Sequence, residues 1–232
     1  MTVTTTGLTK AAGIAAAVAG TIFITVQIGH PAFDTYLTDT NEWVIRCSAK
    51  AVMCVAALAG ITGMYLRQVR QMRVVGLFGY VVFALGYLMM FATEVMPVVF
   101  LSALTDKAPA FVNNVVIASG GGTPTGDIGH LQTFFTITGV CYMLGGLIFG
   151  IALFRAKVLA RWASVLLAVS TVATATLAVL PASFDRPMAV PEGVALIGLG
   201  ISLWRDQHNI THEPTTEHAV GQTAVAESLP VR

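Results

Sequence analysis

Charge is what this sequence has least of. Only 11% of its 232 residues are Asp, Glu, Lys or Arg, while 55% are hydrophobic; an ordinary soluble domain carries about 25% charged residues. A soluble domain of this size would lack the polar surface to cover itself. The composition therefore excludes a disordered chain and a simple secreted domain. Thirteen basic residues stand against twelve acidic ones, a net charge of +1. That balance offers no field to steer a polyanion, so nucleic acid is not an expected partner. Cysteine is also scarce. Cys47, Cys54 and Cys141 are odd in number and form no C-x-x-C pair, which argues against a disulfide scaffold, a zinc site or a redox dithiol. Each lies in an apolar run and reads as a small packed hydrophobe. No P-loop, H-E-x-x-H, G-x-S-x-G or dinucleotide-binding glycine pattern occurs in a usable context. Gly120, Gly121 and Gly122 are a lone loop run, no helix carries a histidine pair for haem, and nothing suggests a channel filter. No cofactor and no metal are expected.

Long apolar runs are what the sequence does have. A helix needs about 20 mostly apolar residues to cross the hydrocarbon core, and six segments qualify: Ala11 to Ile28, Trp43 to Leu66, Val74 to Phe91 with an apolar continuation to Leu104, Gln132 to Phe154, Leu159 to Leu180 and Pro187 to Trp204. The first, behind Lys10, is long for a signal peptide and no small-x-small site follows it, so it reads as a retained helix. The runs are too continuously apolar to alternate as barrel strands. The expected fold is an all-α integral membrane protein, a six-helix transmembrane bundle over residues 1–205, in the cell membrane. Residues 206–232 are polar and read as a disordered cytoplasmic tail. His208, His212 and His218 in it resemble a metal tract, but nothing there would hold a helix in place.

Loop charge sets orientation. Lys10, Arg67, Arg70, Arg73, Arg155, Lys157, Arg161 and Arg205 fall on one side, whereas the other side's loops hold only Lys107 and Arg186. Eight against two predicts that both termini are cytoplasmic. The longest loop, Thr105 to Leu131, is then external. Its glycine-rich stretch after Ile117 reads as flexible, and Pro109 to Ile117 is apolar enough to lie on the membrane or fold over a mouth. Gly146 and Gly150 form a small-xxx-small pair, with Gly139 and Gly145 nearby, and Ala12, Ala16 and Gly20 offer similar positions in the first helix.

Four ionisable groups fall inside the spans, where each costs roughly 2.5–3.5 kcal/mol on insertion scales: Arg46, Lys50, Glu94 and Glu192. Arg46 and Lys50 are four apart on one helix face. They either snorkel to the outer headgroups, pair with inward-facing carboxylates or bind an anion. Glu94 is flanked by apolar sequence and shares a seven-residue stripe with Tyr80 and Tyr87, with Pro97 able to bend the helix just beyond. It is either an ion-pair partner of Lys50 or Arg46, or a working acid. Glu192, after Pro191, suits a first helical turn, yet the sixth span must start earlier to be long enough, which puts Glu192 about a turn below the outer surface. All four share the outer third, beneath His30, Asp34, Trp43, His130 and Asp185, and the inner half of every span lacks charge. The expectation is a polar chamber open outward over a hydrophobic floor. An alternating-access carrier more often has polar groups at the midplane, though Thr171 and Thr174 offer hydroxyls there.

Gln27-Ile28-Gly29-His30-Pro31, Arg67-Gln68, Ala92-Thr93-Glu94-Val95-Met96-Pro97, Phe149-Gly150-Ile151-Ala152-Leu153-Phe154-Arg155-Ala156 and Arg161-Trp162-Ala163 resemble a family of small six-span membrane proteins, mostly actinobacterial and mostly without assigned activity. The resemblance runs from Ala11 to Trp204. In size, topology and acid placement alone, the chain is also similar to bacterial membrane-bound terpene cyclases. That similarity implies an isomerase-type cyclase for a lipophilic, prenylated small molecule, with the lipid bilayer as surroundings. The chemistry needs a carboxylic acid kept protonated. Glu94 is the expected acid and Glu192 its partner or the terminal base, while Trp43, Tyr87 and Phe91 offer π faces to carbocations. Arg46, Lys50 and Asp34 complete the expected substrate site. A close cation favours the ionised carboxylate, so the reading requires one carboxyl unpaired with Arg46 or Lys50. The alternatives are a small-molecule transporter, an envelope immunity or sensing protein, or a purely structural ion-pair cluster.

Overall fold

The computed structural model describes residues 4–174, 187 and 189–212. It is all helix, with no strand among the described residues. The elements are α1 (Thr5–Thr25), α2 (Thr40–Arg67), α3 (Val69–Met96) continued by a wide π-helical turn at Pro97–Leu101, α4 (Pro109–Ser119), α5 (Leu131–Ala156), α6 (Arg161–Ala173) and α7 (Ala189–His212). Thr4 caps α1 by accepting a hydrogen bond from Gly7 N at 3.1 Å. Arg73 adopts φ 52°, breaking α3 from its first turn. The continuous part of that helix therefore starts at Val74, where the apolar run begins.

Neighbouring helices close into a ring: α1 with α2, α2 with α3, α3 with α5, α5 with α6, α6 with α7, and α7 back on α1. Small residues make these approaches close. A methyl on Gly13 would lie 2.7 Å from Gly200 O, so α1 and α7 touch backbone to backbone, as helices do in lipid where only packing draws them together. Ala12 and Ala16 meet Gly63 and Gly60 of α2, and Gly146 and Gly150 meet Thr171, Ala168 and Ser164 of α6. Both small-residue stripes expected from the sequence are helix contacts. Gly145 faces Phe83 on α3, whereas Gly139 faces open space.

The outside of the ring is greasy. Val52, Val55, Phe78, Val81, Leu88, Val165 and Val169 are all at least half exposed, apart from Val165 at 44%. In water such a girdle would aggregate; in a bilayer it is the expected surface. The helices Thr5–Thr25, Thr40–Arg67, Val69–Leu101 and Leu131–Ala156 are long and apolar enough to cross a membrane. The last six residues of the expected fifth span, 175–180, lie outside the described residues, as does Asp185. At its far end α7 runs on to His212, about two turns past the expected start of the tail at residue 206; residues 213–232, with His218, lie outside the described residues.

The segment before α5 is a cap. Val112, Val115, Val116 and Ala118 of α4 are buried with Tyr36, Trp43, Cys47, Leu101 and Ile128 in a cluster separate from the main core. The apolar stretch from Pro109 thus folds over the bundle end. The loop expected to be flexible is pinned: the Asn114 side-chain oxygen accepts from Thr125 N at 2.7 Å, Thr125 Oγ1 at 3.1 Å and Gly126 N at 3.3 Å.

Candidate functional site

The centre of the ring holds a carboxyl. Glu192 is 1% exposed, and the Tyr87 hydroxyl donates to its Oε1 at 3.2 Å. Tyr142 of α5 turns its hydroxyl toward the same carboxyl, at a geometry short of a formed hydrogen bond. The two tyrosine rings meet edge to face with centroids 5.7 Å apart, and Phe83 packs 4.9 Å from Tyr87 and 5.6 Å from Tyr142. Among the described residues no Lys or Arg pairs with Glu192.

Tyr87 and Tyr142 lie near the middles of their helices, so the carboxyl meets α3 and α5 at mid-helix. Gly193 beside it packs against Gly20 and Ile24 near the end of α1. Toward the basic end of the bundle, Phe83, Ile61, Met64, Phe149 and Leu153 are fully buried.

Toward the cap lies a second acid. Lys50 Nζ stands 3.7 Å from Glu94 Oε1, with side chains 13% and 16% exposed. Glu94 is thus an ion-pair partner, one of the two roles open to it. The Cys54 thiol, fully buried, is within electrostatic range of Glu94 and Lys50 on one side and of Tyr87 and Tyr142 on the other.

The remaining expected site residues divide. Arg46 does not reach an intramembrane acid. It pairs with Glu42 at 2.7 Å and donates from Nη1 to Val26 O at 2.7 Å and Ile28 O at 2.9 Å, capping the end of α1. Trp43 is buried in the cap cluster with His30, Phe33 and Tyr36, away from Glu192. Phe91 packs at the edge of the main core. Asp34 falls in the short turn Phe33–Thr35, and its side chain lies outside the described residues. The Thr171 hydroxyl donates to Leu167 O at 3.0 Å, and the side chain presses on Gly146. Among the described residues no three His, Cys, Asp or Glu side chains converge as a metal site would. Tyr142, Phe83 and Cys54 are the members that sequence reasoning missed. No protein-family model, curated protein or solved structure matches the chain.

Proposed function

We propose that the protein is a six-span membrane enzyme with both termini cytoplasmic, an isomerase-type cyclase in which Glu192 protonates a lipophilic prenylated substrate. The observation that carries this reading is a carboxyl buried against the middles of α3 and α5, free of any cation among the described residues, held by a phenol and ringed by aromatic faces. An ionised carboxylate without a counter-charge is costly to bury, so the neutral acid is the form that fits. Tyr87 donates to Oε1, leaving Oε2 to carry the proton. The O–H bond breaks as an alkene π pair takes that proton into a new C–H bond, leaving a cation at the more substituted carbon. A second alkene π pair closes the ring. Proton loss from the product cation returns the proton to Glu192, so atoms balance and the net change is isomerisation. Tyr87, Phe83 and Tyr142 present the π faces that stabilise the cation. Glu94, neutralised by Lys50, takes no part as the acid. The family resemblance and the prenylated substrate class belong to this proposal.

The test is product formation. Membranes holding the protein are incubated with prenylated substrates and extracted for cyclised product. Glu192→Gln should lower the yield by roughly 10²–10⁴-fold, whereas Glu94→Gln should keep a substantial fraction. Undiminished product from Glu192→Gln removes the role. The transport reading draws on the same buried acid; substrate uptake into vesicles without chemical change, lost in Glu192→Gln, would favour it.

A further inference from the structure

Two grooves adjoin at the basic end of the bundle, where Arg67, Arg155, Lys157, Arg161 and Arg205 gather. They lie on either flank of Ile201 in α7. The first, about 520 Å³, runs between α6 and α7; Val158, Trp162, Gly198 and Ile201 line it, with Ser202 and Arg205 toward the helix end. The second, about 300 Å³, runs between α1 and α7 and is lined by Gly13, Ile14, Ala17, Gly200, Ile201 and Trp204, without a polar side chain other than the indole.

We propose that this pair of grooves holds one diacyl anionic phospholipid, its phosphate on Arg205 and one acyl chain on each flank of Ile201. The assignment rests on the chain crossing a bilayer and not on the catalytic reading. Ile201 is common to both linings, so a ligand branching there fits both. Arg205 is one turn beyond Ile201 toward the end of the bundle, and among the described residues no carboxylate pairs with it. Asp206, which also borders the first groove, is held by Arg67 at 2.6 Å, so its charge is compensated. From Arg205 both grooves lead toward the membrane centre, past Ser202 and Gly198 on one flank and from Gly13 to Ala17 on the other. Trp162 and Trp204 are 59% and 40% exposed beside them, at the level where tryptophan favours the membrane interface. A zwitterionic headgroup brings its own cation to Arg205; an anionic one does not, and gains the full attraction.

The indoles report the test. The full chain in detergent micelles is titrated with phosphatidylglycerol or phosphatidylcholine carrying brominated chains, which quench Trp162 and Trp204 on contact. The anionic lipid should half-quench at about fivefold lower mole fraction. Arg205→Gln should erase that preference, and Arg155→Gln, an equal loss of charge at the same end, should keep it. Equal quenching by both lipids, or equal loss in both variants, overturns the site. Ala17→Phe fills the apolar groove without touching Arg205. It should weaken the two-chain lipid and leave single-chain lysophosphatidylglycerol unchanged; two-chain binding as in the parent protein would overturn the two-groove arrangement. Relief of quenching by an excess of soluble glycerol phosphate would mark a headgroup site with no role for the chains, and overturn it too.

Discussion

Glu94 and Glu192 lie in one helical ring, on either side of Cys54, and the protein treats them in opposite ways. Glu94 faces Lys50 at 3.7 Å in a partly exposed setting, where opposite charges compensate each other and some solvent remains. Glu192 has no such cation among the described residues and rests on a tyrosine. Of the two, only the second suits a proton donor. The difference lies in the neighbouring ammonium, present beside Glu94 and absent beside Glu192 among the described residues.

The largest expected effect that tests this contrast is catalytic, the collapse of product in Glu192→Gln against its persistence in Glu94→Gln. Next comes stability. Lys50→Met leaves the Glu94 carboxylate alone and should lower unfolding stability in detergent by about 2–3 kcal/mol. The double variant Lys50→Met/Glu94→Met should recover most of it, and failure to recover would mean that the pair is not the interaction lost. Gly86→Val sharpens the contrast from the packing side. A Cβ at Gly86 would lie 2.8 Å from Tyr142 N, so valine should push α5 from α3 at a cost of about 2 kcal/mol. It should reduce product formation while leaving the Lys50–Glu94 coupling energy in a double-mutant cycle unchanged. The smallest effect belongs to Arg46→Gln. Losing the cap on α1 should cost about 1 kcal/mol by thermal unfolding, with product formation retained, because Arg46 serves the α1 terminus and not the acid.

The sequence made some of this legible and hid the rest for physical reasons. Lys50 and Glu94 stood out because charges within apolar runs are rare, and their shared depth on consecutive helices made pairing one of the two roles open to Glu94, the other being the acid. The small-residue stripes at Ala12, Ala16, Gly20, Gly146 and Gly150 were legible because close helix approach leaves few residue choices. That Glu192 meets Tyr87 and Tyr142 was not, since it depends on how α7 packs against α3 and α5, which is a tertiary fact. Tyr142 was missed because one tyrosine in an apolar helix carries no signal; the nearby Gly145 and Gly146 do mark it as lying on a packed part of α5. Arg46 misled because spacing placed it beside Lys50; its partner Glu42, four residues earlier, was open to sequence reading, whereas the Val26 and Ile28 carbonyls are displayed by no sequence pattern. The role of Asn114 in pinning the loop before α5 was hidden for the same reason.

Asp206 fastens the end of α7 to Arg67 at the end of α2, and Gly193 is wedged against Gly20 near its start. Between these two clamps the helix works as a ruler. Fourteen residues separate Asp206 from Glu192, about 21 Å of rise, and that fixed length sets how far into the ring the carboxyl reaches. Inserting a single residue between the clamps would turn one of them by roughly 100° about the helix axis relative to the other: with Asp206 still on Arg67, Gly193 would leave its seat on Gly20 and Glu192 would turn away from Tyr87.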